Sequence, residues 1–213
     1  MIGSLMKKDF YINGIYYLII LGLIPLFYVM ETDQYYLYFG IMIGFLFNLF
    51  YYDHRNHVNR FIGSLPVKLR NVVLSRYITM FSILVCFVLY VWLVDSLAHY
   101  GLPYLETQPM TTIEIMILFT FISITISISM PIYYLVKTFM KAIGIQMGLL
   151  VFGTFAFAIM LGNEYITFYE PLLLGLFKLI DIQPYVMLIL ISLLFLYLSY
   201  ELSAWIYTKK AKV

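Results

Sequence analysis

Charge is scarce in this chain: only 11% of its 213 residues are Asp, Glu, Lys or Arg, with three His and one Cys. Soluble domains carry about a quarter charged residues, so an ordinary soluble domain is excluded. The lone Cys86 rules out an intrachain disulfide and leaves the redox compartment unread. There is no Gly-x-Ser-x-Gly, no His-Glu-x-x-His and no paired-glutamate motif, which removes the hydrolase and intramembrane-protease mechanisms that those motifs serve. Nor is there a Gly-rich loop ending in Gly-Lys-Ser/Thr, so the chain binds no ATP in that manner and any energy must come from elsewhere. Soluble linkers, low-complexity tracts and strong repeats are missing too, and residues 1–213 read as one domain.

What is abundant is apolar and aromatic surface: 63% hydrophobic residues, 21 Tyr and 18 Phe, and a mean hydropathy of +0.93. About 20 helical residues cross a hydrocarbon core of roughly 30 Å, and apolar runs of that length recur. Six are expected, near 11–30, 35–52, 77–95, 112–134, 145–162 and 184–207. Membrane strands would alternate apolar and polar residues, which the run from Ile143 to Leu161 does not. The class is therefore all-α integral membrane, and six helices leave no room for a soluble catalytic domain among them. Lys7 and Lys8 precede the first run, but no small-residue cleavage pattern follows Pro25, so the run reads as a retained helix.

Short loops rich in Lys and Arg stay cytoplasmic. With both termini inside, the inner set is Lys7, Lys8, Arg55, Arg60, Lys68, Arg70, Arg76, Lys137, Lys141, Lys209, Lys210 and Lys212, or 12 of 13 basic residues. Glu31, Asp33, Asp95, Glu106, Glu164, Glu170 and Asp181 fall outside with Lys178. The net charge of +2 thus conceals a polarity across the bilayer and is no sign of nucleic-acid binding. Residues 163–183 have an apolar core of only Pro171 to Phe177, too short to span, and read as an extracellular re-entrant hairpin.

Single positions carry narrower expectations. Pro25 and Pro131 interrupt the first and fourth runs, where a proline either kinks a membrane helix or is merely tolerated. Gly40 and Gly44, and Gly144 and Gly148, stand four apart and allow close helix approach, within one subunit or at a dimer seam. Ser123, Thr125, Ser127 and Ser129 are expected to bond to carbonyls one turn back rather than to line a path. Glu201, inside the last run, is either an intramembrane polar site or a side chain snorkelling to an interface marked by Trp205 and Tyr207. Asp53, His54 and His57 lie too few and too unsupported for a metal site, and His99 belongs to the opposite face. The Tyr and Phe excess suits interface belts, and also a cavity for amphipathic molecules.

The largest polar stretch is the connector 53–76, which together with the Tyr51, Tyr52 and Tyr77 around it holds 5 of the 13 basic residues and two of the three His. From Asp53 to Ile62, apolar Val58, Phe61 and Ile62 take one side of a helical pattern, with Arg55, Asn56, Asn59 and Arg60 largely on the other. Gly63, Ser64, Leu65 and Pro66 then break it, with Ser64 able to cap a second helix and Pro66 suited to its first turn. The second helix runs through Lys68, Arg70 and Arg76 into the third span. A surface helix lying on anionic lipid has the same pattern.

Tyr52-Asp53, Asn56, Ser64-Leu65-Pro66-Val67, a basic cluster and Val73-Leu74-Ser75-Arg76-Tyr77 resemble the permease subunits of type-2 ATP-binding-cassette (ABC) transporters, in the small six-span branch of bacterial peptide and antibiotic exporters. The six-span layout, Lys8-Asp9-Phe10 before the first span and the hairpin before the last extend the likeness over the chain. Val58 departs from an aromatic common in relatives, and Leu69 and Asn71 from charged residues, which bears on the partner surface more than on the family.

The resemblance implies a half-transporter in the bacterial plasma membrane. The connector would be its coupling helix, with Arg55, Asn56, Val58, Asn59, Arg60, Phe61 and Ile62 against a separate cytoplasmic ATPase and Ser64, Leu65 and Pro66 as a structural corner. It implies no catalytic, cofactor or metal residue on this chain: ATP and Mg would be bound by two ATPase copies, beside a second permease copy, identical or paralogous. Within the branch the chain is most similar to permeases of staphylococcal exporters of amphipathic, membrane-active peptides of the phenol-soluble modulin type. Antibiotic or bacteriocin self-protection is the alternative cargo reading, and a non-transporting anchor or sensor the alternative class.

Overall fold

The computed structural model describes residues 2–30, 35–56, 68–105, 108–136, 138–162, 175 and 182–210. The elements that order them are helices: α1 (Ile2–Ile12), α2 (Gly14–Val29), α3 (Tyr35–Arg55), α4 (Leu69–Gly101), α5 (Thr112–Leu135), α6 (Phe139–Gly162) and α7 (Pro184–Lys210). A helix satisfies its own amides and carbonyls, which an apolar medium demands, and those that follow α1 are apolar around most of their circumference. Among the described residues four helices are long and apolar enough to cross a membrane: α4, α5, α6 as far as Met160, and α7. The bent pair α1–α2 makes a fifth if counted as one span. This is a multi-pass membrane protein. With 33 residues, about 50 Å of helix, α4 overruns a hydrocarbon core of roughly 30 Å at both ends. The expected span 77–95 is the middle of this rod, which begins at Leu69 and carries Arg70 and Arg76.

The expected first span, 11–30, is broken near its start. α1 and α2 meet at 54°, and the break falls at Asn13, while α2 runs on through Pro25. The Asn13 side chain explains the position: its Nδ2 donates to Asp9 O at 3.1 Å, and its Oδ1 accepts from Asn48 Nδ2 at 2.7 Å. An asparagine that offers the backbone a side-chain partner competes with the helical ladder, and here Asn13 and its bond to Asp9 O are wholly buried.

Pro25 and Pro131 lie inside α2 and α5 without ending either helix. A proline has no N–H for the carbonyl four residues earlier, which releases Leu21 O and Ser127 O. Each released carbonyl is taken by a neighbouring helix. Tyr90 on α4 donates to Leu21 O at 2.7 Å, and Ser199 on α7 donates to Ser127 O at 2.5 Å. Prolines are tolerated in membrane helices on this condition. Ser123, Thr125, Ser127 and Ser129 donate to carbonyls four residues back at 2.7–3.0 Å, so their hydroxyls are used within α5. At the start of α5, Thr111 and Glu114 form a reciprocal capping box.

α5 and α7 are the most extensively packed pair. Ser192 donates to Thr120 Oγ1 at 3.2 Å, and the Tyr77 hydroxyl of α4 lies 2.6 and 2.8 Å from Ser199 and Ser203. Ile24, Leu46, Val73, Leu84 and Met130 are fully excluded from solvent in the common core. α6 touches α3 and α5, burying Ala142 and Gln146, and then leaves Val151, Phe152 and Phe155 more than 60% exposed. Such an apolar face suits hydrocarbon and not water. Of the four paired glycines only Gly44 has a close neighbour, the Tyr16 side chain. A Cβ at Gly40, Gly144 or Gly148 would meet nothing within 4 Å.

Candidate functional site

Three helices are tied together where α3 runs out into the connector and α4 returns from it. Asp53 stands in the last turn of α3, Arg76 two turns into α4, and Lys8 and Asp9 near the end of α1. Arg76 Nη2 pairs with Asp53 Oδ2, and its Nε lies 3.8 Å from Asp9 Oδ2. Lys8 Nζ is 3.0 Å from both Asp9 Oδ1 and Asp53 Oδ1. Asp9, Arg76 and Asp53 are 1%, 3% and 4% exposed.

Buried charge is tolerated only when it is paired, and two carboxylates against two cations make this cluster neutral. The Arg76 guanidinium also lies 5.3 Å from the centre of the Phe50 ring, an added cation–π contact. Phe50 stacks in turn on Tyr133 of α5, with ring centres 4.1 Å apart. The side chain of Lys8 is 30% exposed and closes the cluster on its open side.

Of the expected contact residues, the structure describes two. Arg55 and Asn56 are exposed at the end of α3. Val58, Asn59, Arg60, Phe61 and Ile62, and the corner Ser64, Leu65 and Pro66, lie outside the described residues, as does nearly all of the hairpin 163–183. Glu201 forms an ion pair with Arg70 in the first turn of α4, and Arg70 Nε donates to the neighbouring Tyr200 hydroxyl at 3.0 Å. The pair is open to solvent, with side chains 56% and 38% exposed. Lys210, in the last turn of α7, donates to Tyr134 O at 2.7 Å and so ties α7 to the end of α5.

A third buried carboxylate, Asp95, stands 19 residues beyond Arg76 along α4, about 28 Å away. Asp95 Oδ1 accepts from the Tyr28 hydroxyl and Oδ2 from the Met110 amide, both at 2.8 Å. Tyr28 also shares a 2.9 Å hydrogen bond with Tyr38, and His99 Nδ1 lies 2.9 Å from Asp95 O. One 2% exposed side chain thereby fastens the far ends of α2, α3 and α4 to the residues leading into α5. Among the described residues no three His, Cys, Asp or Glu side chains are grouped to hold a metal.

Sequence reading did not name the ion cluster as a site, although its parts were in view. Lys8-Asp9, Tyr52-Asp53 and Arg76-Tyr77 are three separate pieces of the pattern that carried the family resemblance, and they meet here. What this arrangement does is mechanical: it fixes both roots of the connector to each other and to α1, and continues one root into α4.

Comparison with curated proteins and with solved structures found no match. The sequence model of one family, described as ABC-2 family transporter protein, matches residues 4–208. That family consists of membrane subunits without an ATPase site of their own, which work with an ATPase partner. With nearly its whole length matched, this chain belongs to the ABC-2 family of transporter proteins.

Proposed function

We propose that the chain is the membrane-spanning permease subunit of an ATP-driven exporter that moves amphipathic peptides, of toxin or antimicrobial type, out of a bacterial cell. A separate ABC ATPase supplies the energy, as two copies holding ATP and Mg, beneath two permeases that are identical or paralogous. The observation that carries the reading is the buried cluster at the roots of the connector. A force applied to residues 53–76 is delivered through Asp53, Arg76 and Asp9 to α4, a single 33-residue rod. Transmission of this kind needs a stiff link with two arrangements, not a flexible loop.

In this reading α3, 21 residues and about 31 Å long, is the sixth span beside the five candidates. Both termini are cytoplasmic, following the basic residues. α1 lies along the inner membrane surface at its angle to α2, with exposed Lys7 and Tyr11 outward. Arg55, Asn56, Val58, Asn59, Arg60, Phe61 and Ile62 contact the ATPase. The peptide cargo rests on the resemblance and on the aromatic-rich outward faces, which suit molecules entering from lipid.

The test is ATP hydrolysis by the purified complex in lipid nanodiscs, with and without an amphipathic helical peptide. Stimulation by peptide supports the exporter. A complex that hydrolyses ATP at one rate across amphipathic peptides, and responds to a membrane-active antibiotic instead, moves the cargo to self-protection. A chain that carries no ATPase at all is the anchor or sensor.

A further inference from the structure

Hydrogen-bond satisfaction differs between the two ends of the bundle. At the far end both Asp95 oxygens and the Tyr28 hydroxyl are engaged by protein groups. Among the described residues, the buried side-chain atoms lacking a hydrogen-bond partner are both Asp9 oxygens, Asp53 Oδ2, the hydroxyls of Tyr17, Tyr133 and Tyr134, and Gln146 Oε1. All of them lie in the connector half. The two carboxylates have their cations, but ion pairing alone leaves lone pairs unused, and a buried hydroxyl with no partner is destabilising. Of these atoms, Asp53 Oδ2 and the Tyr133 and Tyr134 hydroxyls belong to residues that line one cavity, and orphaned groups placed together call for a shared partner.

The space for that partner is there. A cavity of about 60 Å³, lined by Phe50, Asp53, Arg76, Tyr133, Tyr134 and Phe139 among others, opens between the ends of α3, α4, α5 and α6. Apolar cavities of this size stay dry. Polar ones hold water if each molecule finds about 10–15 Å³ and two to four partners. Asp53, Arg76, Tyr133 and Tyr134 supply acceptors and donors on three helices, and the ion cluster beside them is neutral, so no counter-ion is required.

We infer that this cavity is a water site, in which bound water molecules bridge the Tyr133 and Tyr134 hydroxyls of α5 to the Asp53–Arg76 pair of α3 and α4. Direct ion pairs hold α1, α3 and α4 to one another, whereas the polar link from α5 to that unit runs through water, beside the direct ring contact of Phe50 with Tyr133. Bridging waters exchange partners without leaving a group unpaired, so this joint slides while the Asp95 cluster at the far end stays fixed. The inference concerns the protein at rest and stands apart from the choice of cargo or ATPase.

Radiolytic hydroxyl-radical labelling of the full-length chain in nanodiscs tests it, because radicals made from bound water label the side chains beside that water. Tyr77 is the internal control: it is 6% exposed against 9% and 8% for Tyr133 and Tyr134, lies in the same region, and has its hydroxyl engaged by Ser199 and Ser203. Tyr133 and Tyr134 are expected to label several-fold faster than Tyr77, and equal rates would overturn the site. Tyr134→Phe gives a second readout through the sign of the thermal shift, since the ring is kept. Loss of a water-bridged hydroxyl lowers the unfolding midpoint, whereas removal of a dry, unpaired one raises it, and a raised midpoint would overturn the site as well.

Discussion

The Ser199 hydroxyl on α7 donates at 2.5 Å to the main-chain carbonyl of Ser127 on α5, the acceptor that Pro131 leaves without an amide. Helix α5 thus keeps its proline because α7 supplies the missing donor. Ser199→Ala should destabilise the protein by about 1 kcal/mol, in the range of interhelical hydrogen bonds in membranes. Pro131→Ala restores an amide to Ser127 O, so the serine should matter less in that background. A double-mutant cycle on thermal unfolding in detergent measures the coupling, and additive effects would break the link between the two.

Arg76 and Arg70 stand less than two turns apart on α4 and should behave oppositely. Arg76→Met leaves Asp9 and Asp53 buried with Lys8 as their remaining cation, a loss of about 3–5 kcal/mol for a broken buried pair. Arg70→Met removes an exposed, solvent-screened pair with Glu201 and should leave the unfolding midpoint nearly unchanged. Unfolding midpoints and membrane abundance of the two variants check the contrast.

Gly44→Ala places a Cβ against the Tyr16 hydroxyl, which otherwise donates to Ile41 O at 3.3 Å. The tyrosine tip must swing away, and a loss of about 1 kcal/mol follows from the broken hydrogen bond. Tyr16→Phe should relieve the closest contact only, since the ring Cζ stays 2.8 Å from the added Cβ. Gly144→Ala and Gly148→Ala meet open space within the subunit, so each should leave the unfolding midpoint of the isolated chain unchanged or slightly raised by better helix propensity. A fall confined to a dimeric preparation would place that face at a seam between copies.

Asp95→Ala frees the Met110 amide and leaves the Tyr28 hydroxyl with Tyr38 alone, whereas Asp95→Asn keeps one carbonyl oxygen as acceptor. The alanine variant should therefore be the less stable by about 1–3 kcal/mol, the cost of a buried unsatisfied group. Faster hydrogen exchange at Met110 in Asp95→Ala than in the parent checks the cause.

The helical class and the approximate places of the long apolar helices were legible because apolar runs of membrane length have no other use at this composition. The break at Asn13 was not, since it depends on Asn48, 35 residues away, and no local pattern records that partner. Pro25 was the visible candidate and proved silent because Tyr90, on another helix, takes up its released carbonyl. The ion cluster was half legible. Its motifs stood in the family pattern, but Asp9 and Arg76 are 67 residues apart, and a lysine or arginine near a span end reads first as an interface anchor. Glu201 could be seen as costly inside an apolar run, yet only the fold shows Arg70 beside it.

The connector predicts its own variants. Arg60→Glu and Phe61→Ala should weaken association with an ATPase by tenfold or more, in keeping with the about 2 kcal/mol or more lost at an interface hot spot. Membrane insertion and the unfolding midpoint of the isolated chain should be unaffected. Normal association in both variants would place the contact elsewhere.

Affinity purification of this chain from its native membrane in mild detergent, with identification of the cytoplasmic protein that accompanies it, tests the exporter reading at its root. A stoichiometric ABC ATPase, lost in Arg60→Glu, is the expected result. An intact, folded chain that reproducibly brings no such ATPase would contradict the permease assignment and the role given to its connector.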